Sequence, residues 1–337
     1  MESKNIVSHT ESVSAPSAPG RFGWLYLVTA VLAGLVAPIQ SRVNGALGTQ
    51  LGDPVAASLV SFTTGLVLLL VISLFVPSAR AGAKMIPVAL KERRFPRWYL
   101  AAGGVGAMVV FSQTLTVPLV GVALFTVSLV TGQTLGSMLV DRIGFGPGGR
   151  RKVNGLRAIG ATLTIVGVIW AVSPRVETNG SIAALLLPLL IPLVVGFLMG
   201  FQAAMNGVQS QVYGTPVAAT LVNFAVGAVL LGILLLIRLP FSAAPNPLPT
   251  QWWFYLGGPL GCIFIGLSAY LVKHLGVLLT GLGMIGGQLV GSLLIDLLLP
   301  APGTLVNAAT IGGTLLTLGA VALASMAGGK SPKPRSS

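Results

Sequence analysis

Gln40-Ser-Arg-Val-Asn44-Gly45 recurs as Gln202-Ala-Ala-Met-Asn206-Gly207, and the match continues without a gap from Gly52-Asp-Pro54-Val-Ala-Ala57 to Gly214-Thr-Pro216-Val-Ala-Ala219. Leu59-Val60, Phe62 and Gly65 then pair with Leu221-Val222, Phe224 and Gly227, giving 12 identities over 26 positions. Further along, Gly132-Gln133-Thr-Leu-Gly136-Ser137-Met-Leu139-Val-Asp141 matches Gly287-Gln288-Leu-Val-Gly291-Ser292-Leu-Leu294-Ile-Asp296. The chain is one unit written twice.

Composition says what medium that unit occupies. Of 337 residues, 54% are hydrophobic and only 8% charged, with a mean hydropathy of +0.89. A soluble domain carries roughly a quarter charged residues to face water, so this chain needs an apolar surrounding. Its apolar content excludes disorder, and the lone Cys262 excludes a disulfide scaffold. An all-α polytopic membrane protein remains.

A helix needs about 20 mostly apolar residues to cross hydrocarbon. Ten such runs occur, near 24–47, 55–76, 98–117, 121–140, 155–173, 182–208, 217–237, 253–272, 276–296 and 304–326. The first lacks a small-residue cleavage site and reads as a span rather than a signal peptide. With the amino terminus inside, 17 of the 20 Lys and Arg residues fall on the cytoplasmic side; only Arg42, Arg175 and Arg238 fall outside. That asymmetry is the positive-inside pattern of a plasma or inner membrane protein with both termini cytoplasmic. It also gives the net charge of +13 a topological meaning, with attraction to anionic lipid and no call for nucleic acid.

Each unit holds five spans. An odd number forces the second copy to enter the membrane in the opposite sense, which makes ten helices in two inverted five-helix repeats. The expected organisation is a disordered cytoplasmic tail over 1–20, repeats over 21–174 and 175–327, and a second cytoplasmic tail over 328–337. Inverted repeats of this kind usually serve alternating access.

The Q-x-x-x-N-G element on the first span, the G-x-P-V-A-A start of the second and the G-Q-x-x-G-S-x-L-x-D element on the fourth resemble the YdcZ-like inner-membrane proteins of the drug/metabolite transporter superfamily. The resemblance runs from about residue 24 to 326, and members commonly occur as single five-span units that this chain would fuse. It implies a ten-helix transporter with a central cavity lined by the first four helices of each half. It also implies export, without naming a solute.

The recurring polar residues are the candidate pathway. Gln40 and Asn44 lie four apart on one helix face, as do Gln202 and Asn206. Such amides either bond a neighbouring helix or face a water-filled cavity. Gln133 and Ser137, with Asp141 a further four residues on, form a polar stripe that Gln288, Ser292 and Asp296 repeat. Beside it, Gly132 and Gly136, like Gly287 and Gly291, make a small-residue seam for a neighbouring backbone. Asp53 and Thr215 suit helix N-caps, with Pro54 and Pro216 in the first turn. Ser61, Phe62, Asn223 and Phe224 are weaker cavity candidates, and so are Asp141 and Asp296, which sit at span ends where carboxylates are usually solvated or paired with a base.

No acidic residue falls mid-span, which gives little support to a central proton-carrying carboxylate. No H-E-x-x-H, C-x-x-C or G-x-S-x-G occurs, and two G-x-G-x-x-G matches lack a strand before them. The sequence therefore points away from an enzyme and calls for no metal or cofactor. The expected partners are a small polar or amphipathic solute and membrane lipid, and pairing into a homodimer is left open. One alternative is a membrane enzyme or lipid-handling protein that uses the glycine-rich cationic run Gly144 to Lys152, with Asp141 its only candidate base. A passive channel is the other.

Overall fold

The computed structural model describes residues 23–147, 149–150, 153–179, 182–300 and 306–326. The two expected tails lie outside the described residues, as do Arg151 and Lys152 of the cationic run. The described residues are overwhelmingly helical, with no strand among them, and all ten expected spans are present.

The first span is two helices, α1 (Gly23–Gly34) and α2 (Val36–Leu51). Pro38 has no N–H to give the Gly34 carbonyl, and Leu35 donates to Leu32 at 3.1 Å, so the regular hydrogen-bond ladder is interrupted there. Gly52 ends α2 at φ +60°. Asp53 then caps α3 (Pro54–Phe75), accepting from the Val55 and Ala56 amides at 2.9 and 3.1 Å. The second half repeats the device. The long α7 (Ile182–Tyr213) ends at Gly214, φ +76°, and Thr215 caps α8 (Pro216–Arg238) through the Val217 amide at 3.3 Å.

Residues 77–91, expected as loop, form the amphipathic α4 (Pro77–Lys91). It is too short and too charged to be a span. Ala79, Gly82 and Ala89 face the bundle, and Arg80, Lys84 and Lys91 face out.

Two further helices are longer than any membrane requires. Straight, the 43 residues of α5 (Ala101–Ile143) would run about 65 Å, roughly twice the hydrocarbon thickness. At Gly121 the backbone turns through φ 84°, ψ 169°. Trp98, ahead of the first arm, stacks on Phe145, beyond the second, with ring centroids 5.6 Å apart. The arms are therefore antiparallel, and Gly121 is the tip of a hairpin. In α9 (Gly257–Leu298), Gly276 makes the equivalent turn at φ 76°, ψ 167°. The remaining spans are α6 (Gly155–Asn179), which runs past the expected boundary at 174/175, and α10 (Ala308–Met326).

The halves interlock through glycine. The second arm of α5 packs on α7 so closely that a methyl group on Gly132 or Gly136 would overlap the carbonyls of Leu193 and Phe197. Symmetrically, Gly287 on α9 rests against the Val31 carbonyl of α1, and Gly34 against that of Met284. At the centre Phe62 of α3 and Phe224 of α8 meet with centroids 4.9 Å apart, each ring lying over the other helix's Gly227 or Gly65. Such reciprocal contact is the mark of a two-fold axis. Helices α6 and α10 cross on small residues, Gly160 against Ala320 and Gly167 against Gly313 and Thr317. Asp53 also pairs with Arg238 of the other half.

The hairpin tips occupy a region of backbone space open essentially to glycine alone, where another residue costs about 1–3 kcal/mol. Gly121→Ala and Gly276→Ala should each lower the thermal unfolding temperature in detergent. A Cβ at Gly276 would meet no atom within 4 Å, so that loss would isolate backbone strain. Gly232→Ala, at an equally open position with negative φ, should leave it unchanged or raised.

Candidate functional site

The polar residues separate into two environments. In the first half Asn44, fully buried on α2, donates through Nδ2 to Gln113 Oε1 at 2.7 Å, and Gln113 Nε2 donates to Ser41 at 3.1 Å. The Ser58 and Thr114 hydroxyls meet at 3.1 Å, and Thr114 also donates to the Pro54 carbonyl at 3.0 Å. A polar seam thus ties α2, α3 and the first arm of α5. Asn44 Oδ1 is buried with no hydrogen-bond partner among the described residues, near Ser61 and Gly257.

In the second half Asn206 Oδ1 accepts from Asn223 Nδ2 at 2.8 Å, and Gln202 Nε2 donates to the Ala102 carbonyl at 3.0 Å. The half-buried Gln40 and Gln202 lie over Gly261 and Gly106, equivalent glycines of the two hairpins. Phe62 and Phe224 are core residues on the axis, and Ser61 and Asn223 are buried beside them. The structure brings none of these eight residues to the wall of the cavity described next.

A cavity of about 690 Å³ opens beside the end of α5 that carries the basic residues. Gln133, Ser137 and Asp141 line it, with Thr134, Arg157 and the tip of the α9 hairpin over 275–282. That volume lies within the range of about 300–1,000 Å³ that ligand sites span. Asp141 is held by Arg157 at 2.6 Å across the mouth. Arg157 and Gln113 had no prominence in the sequence because neither belongs to the repeated pattern. The available signals were an amide inside an apolar span and an arginine sixteen residues after a span-end carboxylate.

The matching stripe of the second half is shut away. Gln288, Ser292 and Asp296 are 8%, 0% and 3% exposed, whereas Ser137 is exposed and Gln133 and Asp141 are half-buried. The Ser292 hydroxyl folds back onto the Leu289 carbonyl at 2.9 Å. Asp296 receives the Val122 amide at 3.0 Å and the Ala123 amide at 2.8 Å, just past the α5 hairpin tip. Two copies of one polar motif thus sit in different surroundings, one at a cavity and one buried. No group of three or more His, Cys, Asp or Glu side chains suited to a metal occurs among the described residues.

These features define a polytopic helical membrane protein of two hairpin-bearing halves. The model of the family described as "Putative inner membrane exporter, YdcZ" matches residues 25–170 and 187–323, one block in each half. The chain belongs to this family of drug/metabolite transporters and is an integral inner membrane protein. A solved structure titled "Crystal structure of protein" shares the fold at a TM-score of 0.51, with 18% identity over 90% of this chain and 96% of its own. No curated protein matches the chain.

Asn44→Ala should destabilise the protein by about 1–2 kcal/mol, because the Gln113 amide would be left buried without its partner. Asn206→Ala, at a half-buried position, should cost less. Thermal unfolding in detergent reads both, and equal melting temperatures would show the seam to be dispensable.

Proposed function

We propose that the protein is a secondary transporter, working as an exporter, of a small polar or amphipathic solute. Its two halves rock about the central axis, so that the cavity faces one side of the membrane and then the other, with the basic face and both termini cytoplasmic. The observation that carries this reading is the contrast between the stripes: Gln133, Ser137 and Asp141 border a cavity while Gln288, Ser292 and Asp296 are closed in. In an inverted repeat the two conformations of the halves exchange, and that exchange converts one open face into the other. Amides and hydroxyls on the cavity wall can both donate to and accept from a polar solute. In the cationic run, Arg150 Nε donates to the Ile143 carbonyl at 3.3 Å and closes the end of α5, a structural use.

Liposomes carrying the purified protein should move solutes down a gradient in a screen of small polar and amphipathic compounds. Gln133→Ala combined with Gln288→Ala should reduce the initial rate at least about tenfold, a loss of two hydrogen bonds to the solute, while the protein still folds. Unchanged flux in the folded double variant would remove these glutamines from the pathway.

A further inference from the structure

The two hairpin tips have the same backbone but different partners. After each tip a new helix begins, and its first amides have no carbonyl one turn back to accept them. The same helix end carries the positive pole of the helix dipole. Past Gly121 those amides are satisfied by a carboxylate from the other half of the molecule, since Asp296 takes Val122 and Ala123 with one oxygen each. Past Gly276 the equivalent residues, Val277 and Leu278, line the open cavity together with Asp141, the carboxylate equivalent to Asp296. There Asp141 is engaged by Arg157 instead.

We propose that Asp141 and Asp296 are alternating latches. Each carboxylate, when seated on the first amides of the opposite half's hairpin arm, closes the mouth on its own face. This rests on the alternating-access reading above and says what holds each closed state. The seated bond joins residues of different halves, and it is charge-assisted and buried. The mouth on that face therefore cannot part without breaking it. In the state described here the Asp296 latch is seated and its mouth shut, and the Asp141 latch is withdrawn and its mouth open.

Arg157 makes the pair unequal. Asn154 Oδ1 accepts from the Arg157 amide at 3.0 Å at the start of α6, and Asn307 Oδ1 accepts from the Thr310 amide at 2.9 Å at the start of α10, which puts Thr310 at the position of Arg157. The catch that withdraws Asp141 has no equivalent guanidinium in the second half. Arg157 is thus a positioning residue that biases the protein toward the conformation with the basic-face cavity open.

Reporter cysteines test this in the Cys262→Ala protein in liposomes, with a membrane-impermeant thiol reagent added to either side. A cysteine at Ser137 should label from the basic face and one at Ser292 should be protected. Arg157→Ala should free Asp141 to seat, so labelling at 292 from the opposite face should rise, and labelling at 137 fall, by at least about fivefold. Asp296→Ala should act in the same direction, and Asp141→Ala should leave the starting pattern in place. Continued protection of 292 in the Arg157→Ala protein would overturn the proposal. So would labelling at both positions together, because one mouth must close as the other opens. Reciprocal labelling without solute flux would remove the transporter reading and keep the latch; flux without reciprocal labelling would do the reverse.

Discussion

In hydrocarbon no water is present to satisfy a backbone amide, so every N–H must find its partner within the protein. A chain that reverses at one glycine and starts a new helix inside the bundle exposes several such amides at once. The Asp296 carboxylate, crossing from the second half to Val122 and Ala123, meets that demand on one face. It joins the hairpin tip of the first half to the polar stripe of the second, alongside the Asp53–Arg238 pair between the halves. The opposite tip faces a cavity, where a polar environment can serve the same amides.

Around that constraint, close backbone approach supplies the cohesion that the hydrophobic effect cannot supply between helices already in lipid. Gly132, Gly136, Gly196 and Gly200 let the second arm of α5 and α7 touch main chain to main chain, and Gly34 and Gly287 do so for α1 and α9. Each hairpin is thereby fixed to the first span of the other half. The buried Phe62–Phe224 pair marks the axis about which the two halves are related. Glycine seams hold the parts at close distance, while the few polar contacts between halves differ from one face to the other.

Much of this was legible in the residues. The repeat, the ten spans, the Asp53 and Thr215 caps and the glycine seams are local patterns, and local sequence determines them. Amphipathic α4 escaped because it is neither long nor apolar. The division of the polar residues into a packed seam around Asn44 and a cavity wall around Gln133 was not legible, because an amide on a helix face looks the same in both settings. Gln113 decides the matter for Asn44, and it belongs to a span with no repeated motif. Least visible was the contrast between Asp141 and Asp296, since matching motifs cannot reveal that one accepts two backbone amides and the other pairs with Arg157. That difference is a property of the whole molecule's conformation.

In the proposed exporter the two faces open and close in opposition. Leu119 and Leu298 stand at one mouth, and His274 and Ile143 are their equivalents at the other; all four are exposed. Spin labels on each pair, in lipid and without native Cys262, give two distance distributions by pulsed electron resonance. Two populations are expected in each pair, with inverse weights: conditions that lengthen the 119–298 distance shorten the 143–274 distance. A single fixed distance at both mouths, or distances that lengthen together, would contradict it.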